Sequence, residues 1–242
     1  METYAGIDLH SSNNFVGVIN DKDKILYGKR HKNRLDDVLK ALDPFKNSLK
    51  GIVVESTFNW YWLVDGLQEH GYPVHLANPS AIKQYEGLKY TDDKWDSFWL
   101  AHMHRLGILA EGYIYPKEHR AVRDLLRRRL LFVRQRTAQI LSLQSMISRN
   151  LGFKMSNNEI KKMKPEDIMQ LFDCSNLVLM ATNSWATIEF LKHIIKGIEK
   201  RVKSQVKLRK EFEMLCTIPG IGNILGLTIM LEVGDIGRFP KV

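Results

Sequence analysis

The chain of 242 residues sets 36 lysines and arginines against 27 aspartates and glutamates, a formal charge of +9, with 44% hydrophobic residues. That is enough apolar content for one large packed domain or two, and the basic excess implies a polyanionic partner, either nucleic acid or an anionic membrane surface. Cys174 and Cys216 are the only cysteines, which excludes a disulfide framework or zinc ribbon. The Met-Glu-Thr-Tyr start lacks a signal-peptide pattern, and the apolar run Ile218–Leu231 is too short and glycine-rich to span a bilayer. A cytoplasmic protein without a membrane partner is expected.

Taken in order, residues 3–31 read as a meander of three strands, Tyr4 to His10, Phe15 to Asn20 and Lys24 to Lys29, separated by Ser-Ser-Asn-Asn and Asn-Asp-Lys-Asp turns. Arg34 to Lys46 has helical spacing through Leu35, Val38, Leu39 and Leu42, and Gly51 to Glu55 is a short apolar run of the buried-strand kind. Ser56 or Thr57 then caps a helix reaching about His70, Tyr72 to Ala77 forms another strand, and a helix follows Pro79. Three strands followed by alternating helix and strand predict an α/β fold, a mixed sheet with helices on its faces.

Four acids fall at the edges of these elements. Asp8 lies in the first strand between isoleucine and leucine, where a carboxylate is costly to bury unpaired, and Glu55 closes the fourth strand. A parallel pairing of those strands would set the two acids side by side, where like charges raise a pKa or demand a cation. In Lys89-Tyr-Thr-Asp-Asp-Lys-Trp-Asp-Ser, Thr91 or Asp92 can cap a helix whose Asp93 and Asp96 share one face. Trp95, Phe98, Trp99 and Leu100 are expected to point toward a core. The plainer reading of each acid alone is capping or a strand-end ion pair; together they suggest a divalent metal site.

The order Asp, Glu, then Asp-x-x-Asp resembles the RuvC-like, ribonuclease-H-type domain of DEDD transposases, the insertion sequence 110 class that also includes the Piv DNA invertases. Gly6-Ile-Asp-Leu-His, Val54-Glu-Ser-Thr, Trp99-Leu-Ala, Arg105-Leu-Gly, Glu111-Gly-Tyr-Ile-Tyr-Pro-Lys and Val122-Arg-Asp-Leu-Leu-Arg-Arg-Arg look like further segments of that family. The resemblance implies Asp8, Glu55, Asp93 and Asp96 as catalytic residues binding Mg2+ or Mn2+, with Asp92 left as a cap. Ser97 stands where the family often has alanine.

From Glu118 to Leu151 the spacing predicts a long helix with a seam of coiled-coil type, Leu126, Val133, Ile140 and Ile147 with Leu130, Thr137, Gln144 and Leu151 four after each. A second helix is expected from Trp185 to Cys216, so the pattern predicts an intrachain antiparallel pair or an intermolecular coil, the latter giving a homo-oligomer. Between them, Asn157-Asn158 and Lys164-Pro165 read as breakers among short helices. Residues 119–151 hold eight arginines against Asp124, a bias that suits phosphate contacts through Arg120, Arg123, Arg127, Arg128, Arg129, Arg134 and Arg136. Ile218-Pro-Gly-Ile-Gly-Asn resembles a helix-hairpin-helix turn, with Gly220 and Gly222 leaving amides for a phosphate.

The expected organisation is residues 1–112 as the RuvC-like domain, 113–216 as the arginine-rich coil, and 217–242 as the start of the family's C-terminal domain. The family implies an RNA-guided enzyme of an insertion sequence, directed by a structured bridge RNA, whose metal-bound acids act with a serine to cut and rejoin DNA. No serine follows Ser204, so none is carried over, and the expectation is metal and nucleic-acid binding without strand exchange. The alternative is a non-catalytic RNA- or DNA-binding fragment or scaffold using the arginine-rich coil. A sugar-kinase or actin-like ATPase would need a second such domain with glycine-rich phosphate loops, and the acidic exonucleases carry a glutamate where this chain has His10.

Overall fold

β1 (Thr3–Leu9), β2 (Asn13–Asn20) and β3 (Ile25–Lys32) form the expected meander, followed by α1 (Leu35–Leu42), β4 (Leu49–Glu55), α2 (Tyr61–Glu69) and β5 (Val74–Ala77). The computed structural model describes residues 1–81, 92–205 and 210–239; the expected helix after Pro79 and the Thr91 cap lie outside them. After that gap come α3 (Asp93–Arg105) and a two-residue strand, β6 (Glu111–Gly112), too short to show any periodicity in sequence. The chain divides into two compact units, Met1–Ile114 and Tyr115–Val242.

In the first unit six strands lie in the order β3-β2-β1-β4-β5-β6. β1, β4 and β5 run parallel, while β2, β3 and β6 are antiparallel to their neighbours. Strand side chains alternate between faces, and the alternation sorts the two layers. Ala5, Ile7 and Leu9 join Ile52 and Val54 in a core with Val38 and Leu42 of α1 and Leu63, Val64 and Leu67 of α2. On the other face Val53 and Ala77 pack with Leu100 and Met103 of α3.

α3 reaches that face through a trough of glycines. Gly6 pairs with Gly17 and Gly17 with Gly28, one glycine in each of three adjacent strands. A Cβ on Gly6 would coincide with the carbonyl oxygen of Ser97; on Gly17 it would sit 2.7 Å from Ser97 Oγ, and on Gly28 2.8 Å from the Phe98 ring. Ser97, Leu100 and Ala101 are buried against this trough, whereas Trp95, expected inward, is 65% exposed.

The N-cap of α2 is Trp60, four residues after Ser56 and three after Thr57, the two expected caps. The Thr57 hydroxyl donates instead to Asn59 Oδ1 at 2.9 Å, and Asn59 Nδ2 donates to the His10 carbonyl at 3.0 Å, which ties the loop after β4 to the loop after β1.

The second unit is built on α4 (Lys117–Leu151) and α7 (Ser175–Gln205). They pack antiparallel within the chain, since Leu126 meets Val202 at one end and Ile147 clusters with Ala181 at the other. α7 begins ten residues before the expected Trp185, because Asn176, Asn183 and Ser184 dilute its apolar pattern. The seam also differs. Leu126, Ile140 and Ile147 are buried as expected, but Leu130 and Leu151, four residues after, are exposed, and Leu143, three after Ile140, is fully buried. The a-to-d step of a heptad is three residues, and that step places Arg129 and Arg136 in the seam.

Short helices α5 (Asn157–Ile160) and α6 (Pro165–Met169) start at the residues expected to break helices. Ser156 and Glu159 form a capping box, and Pro165 occupies the first helical turn, where its missing N–H costs nothing. α8 (Lys210–Cys216) and α9 (Asn223–Val233) close the unit. Among the described residues no helix is long and apolar enough to cross a membrane.

Candidate metal centre

Asp8 and Glu55 come together through strand register. β1 and β4 are parallel with Ile7 opposite Val54, so the next residues of each strand are neighbours, both on the face covered by α3. Asp8 is only 2% exposed. A hydrogen bond joins it to Glu55, whose carboxyl is pushed from its ordinary 4.5 up to about 7. Burial is the largest cause, followed by that bond and the negative charges of Asp8 and Asp96, with His10 opposing. Burial beside other acids thus holds the Glu55 carboxyl well above the ordinary carboxylate range. His10 Nε2 lies 3.1 Å from Asp8 Oδ2, a partner for the buried acid on its open side.

The third acid arrives on α3. Asp92 is the N-cap, its Oδ1 accepting from Trp95 N at 2.8 Å. Asp93 is the first helical residue, and its side chain lies outside the described residues. Asp96 follows within the first turn, near enough for its charge to act on Glu55. The helix is held at its far end by Arg105, whose Nε and Nη2 donate to the two Asp23 oxygens at 2.7 and 2.6 Å in the β2–β3 turn. The glycine trough fixes its middle.

Asp8 and Glu55 thus stand side by side on the sheet, with Asp96 near enough on α3 for its charge to raise the Glu55 pKa further. An all-oxygen donor set of this kind suits Mg2+ or Mn2+, and a divalent cation would take over the charge compensation that the Glu55 proton provides.

The seven α4 arginines expected to contact phosphate separate into two groups. Arg120 and Arg123 are buried: Arg120 Nε donates to the Tyr115 carbonyl at 2.6 Å, and Arg123 Nε to Glu232 at 2.9 Å. Arg127 is bidentate to Glu232, and Arg129 pairs with Glu199 of α7 at 2.6 Å. Arg128 and Arg134 are exposed, and Arg136 is half-buried. Of the expected turn glycines, Gly220 adopts φ +91°, in the left-handed region, and Gly222 is the N-cap of α9.

Two features escaped the sequence reading. The glycine trough had a visible signal, Gly6, Gly17 and Gly28 recurring every eleven residues through three strands. A cluster of His75, His104 and Glu111 at the other end of α3 had none. Two transposase models match the chain, one of the DEDD type of IS110 over residues 5–150 and one of the IS116/IS110/IS902 transposase family over residues 212–242. A comparison with curated proteins found no match.

Proposed function

Because the chain belongs to the IS110 family of DEDD transposases, we propose that Asp8, Glu55, Asp93 and Asp96 hold Mg2+ or Mn2+ for cutting and rejoining the DNA of an insertion sequence. The observation that carries this is the hydrogen bond between the Asp8 and Glu55 carboxyls, with Asp96 adding its charge to the same place. A divalent ion held there supplies positive charge to the scissile phosphate and its departing oxygen. The protein's part is positional. Strand register holds Asp8 and Glu55, the Asp92 cap fixes the start of α3, and the Glu55 carboxyl would release its proton to solvent when a cation binds. A structured guide RNA is the second nucleic-acid partner in this reading, and the serine nucleophile is assigned to no residue of this chain.

Calorimetric titration with MgCl2 tests the site. Glu55 holds its proton up to about pH 7 in the folded protein, against 4.5 ordinarily. Between those values the folded state loses stability as pH rises, and cation binding must displace the proton. Affinity is therefore expected to rise by up to about tenfold per pH unit below 7 and to level off above it. Asp93→Asn and Asp96→Asn should each abolish the signal at pH 8. Unchanged binding by both would reduce the chain to a nucleic-acid-binding scaffold.

For the DNA we assign Arg128 and Arg134, two exposed members of the arginine helix, as phosphate contacts. Replacing both by glutamine is expected to lower the slope of log K against log salt by about 2, one for each lost phosphate contact, measured by anisotropy of labelled duplex. An unaltered slope removes these residues from the interface.

A further inference from the structure

Away from the acids, two histidines and a glutamate converge where α3 ends against the sheet edge. His75 stands two residues before Ala77 in β5, and Ala77 pairs with Glu111 of β6. His75 and Glu111 thus share the face that α3 covers, and His75 Nδ1 lies 3.0 Å from Glu111 Oε1. His104 descends from the last turn of α3, its ring centroid 4.2 Å from that of His75 at an interplanar angle of 41°. One ligand atom from each of the three residues lies within 4.8 Å of the others.

Gly51 makes the room. A Cβ there would collide with His104 Nε2 and stand 2.9 Å from His75 Cδ2, so the absence of a side chain on β4 lets both imidazoles enter one space. Eight residues separate His104 from Asp96, about 12 Å along the helix, so this cluster is distinct from the carboxylate centre.

We propose that His75, His104 and Glu111 form a second metal site, selective for a borderline transition ion such as Zn2+. The donor set carries the choice of metal. Two imidazole nitrogens and one carboxylate oxygen suit zinc, whereas the all-oxygen acids suit magnesium. Zinc bonds of about 2.0–2.2 Å in tetrahedral array put donor atoms roughly 3.3–3.6 Å apart. The His75–Glu111 contact is already shorter than this, and the remaining closure, on the order of an ångström, is within reach of side-chain rotation. Binding replaces the hydrogen bond between His75 Nδ1 and Glu111 Oε1, leaves one position open to water at the exposed edge, and ties the end of α3 to β5 and β6.

The test uses the whole chain, untagged and stripped with chelator, titrated with ZnSO4 in saturating Mg2+. One zinc per chain is expected, with affinity at least tenfold weaker in His75→Gln and in His104→Gln and unchanged in Asp96→Asn. The absence of binding overturns the site, as does binding that survives both histidine changes or is lost only with the acid. The Co2+-loaded parent gives a reading independent of variant folding. Intense visible absorption from a four-coordinate, nitrogen-containing site supports the assignment, and the pale spectrum of a six-coordinate oxygen set overturns it.

Discussion

In an insertion sequence whose transposase carries this chain together with the nucleophilic serine, Asp8→Asn is expected to lower transposition at least about a hundredfold. In the absence of divalent cation, the purified variant should nevertheless melt no lower than the parent. The two halves of this expectation have one origin. Asp8 is buried beside Glu55 and raises that carboxyl's pKa by hydrogen bond and by charge, so the parent holds two acids together at a cost in folding free energy. Asparagine keeps the shape, and its amide can donate to an ionised Glu55. The repulsion is gone, and folding without metal gains. Catalysis loses a charged ligand, and several kcal/mol of charge stabilisation lost in the transition state amounts to two or more orders of magnitude in rate. Magnesium should raise the melting temperature of the parent and leave that of the variant unmoved. If Asp8 were a strand-end carboxylate held for structure by His10, the variant would instead melt lower and transposition would fall only in proportion. Normal transposition by the variant would falsify its catalytic role.

Asp8 and Glu55 were legible as candidates because an acid between isoleucine and leucine, and another after Gly-Ile-Val-Val, stand out against apolar strands, while their meeting depended on a parallel pairing that only the strand register supplies. The cap at Asp92 was legible for a local reason too, as its carboxylate needs only the amide three residues on. What the sequence hid depends on contacts between distant elements. Trp95 and Phe98 look equally suited to a core, and only the glycine trough decides that Ser97, Leu100 and Ala101 face inward, which turns Trp95 to solvent. The arginines of α4 misled for a related reason. Counting them gives a charge, but Arg123 and Arg127 meet Glu232 more than a hundred residues away and Arg129 meets Glu199. No pattern within α4 announces those partners. The heptad step of three, rather than four, would have put Arg129 in the helix seam and suggested that it needed an acid there.

Gly6→Ala is expected to destabilise the first unit by about 3 kcal/mol or more, the upper end of overpacking costs. A single methyl group has this effect because of what it meets. The new Cβ would occupy the place of the Ser97 carbonyl oxygen and lie 2.9 Å from Ala101 N, both backbone atoms of α3, which cannot rotate aside as a side chain can. The whole helix must lift. Gly17→Ala is the comparison, since its Cβ would meet Ser97 Oγ at 2.7 Å and the Phe98 ring at 2.8 Å, groups that can turn away for about 1 kcal/mol. Alanine is otherwise favoured over glycine in a strand by a fraction of a kcal/mol, so a loss at either position reports packing. For a unit of this size the Gly6 variant should melt at least about 10 °C below the parent, and the Gly17 variant only a few degrees below. Lifting α3 also carries Asp93 and Asp96 away from Asp8 and Glu55, which stand on the sheet. Whatever Gly6→Ala protein remains folded should therefore bind Mg2+ more weakly than the Gly17→Ala protein. Equal, small effects at both glycines would mean that α3 is not seated in the trough, and the carboxylate centre would lose the contact that brings its two halves together.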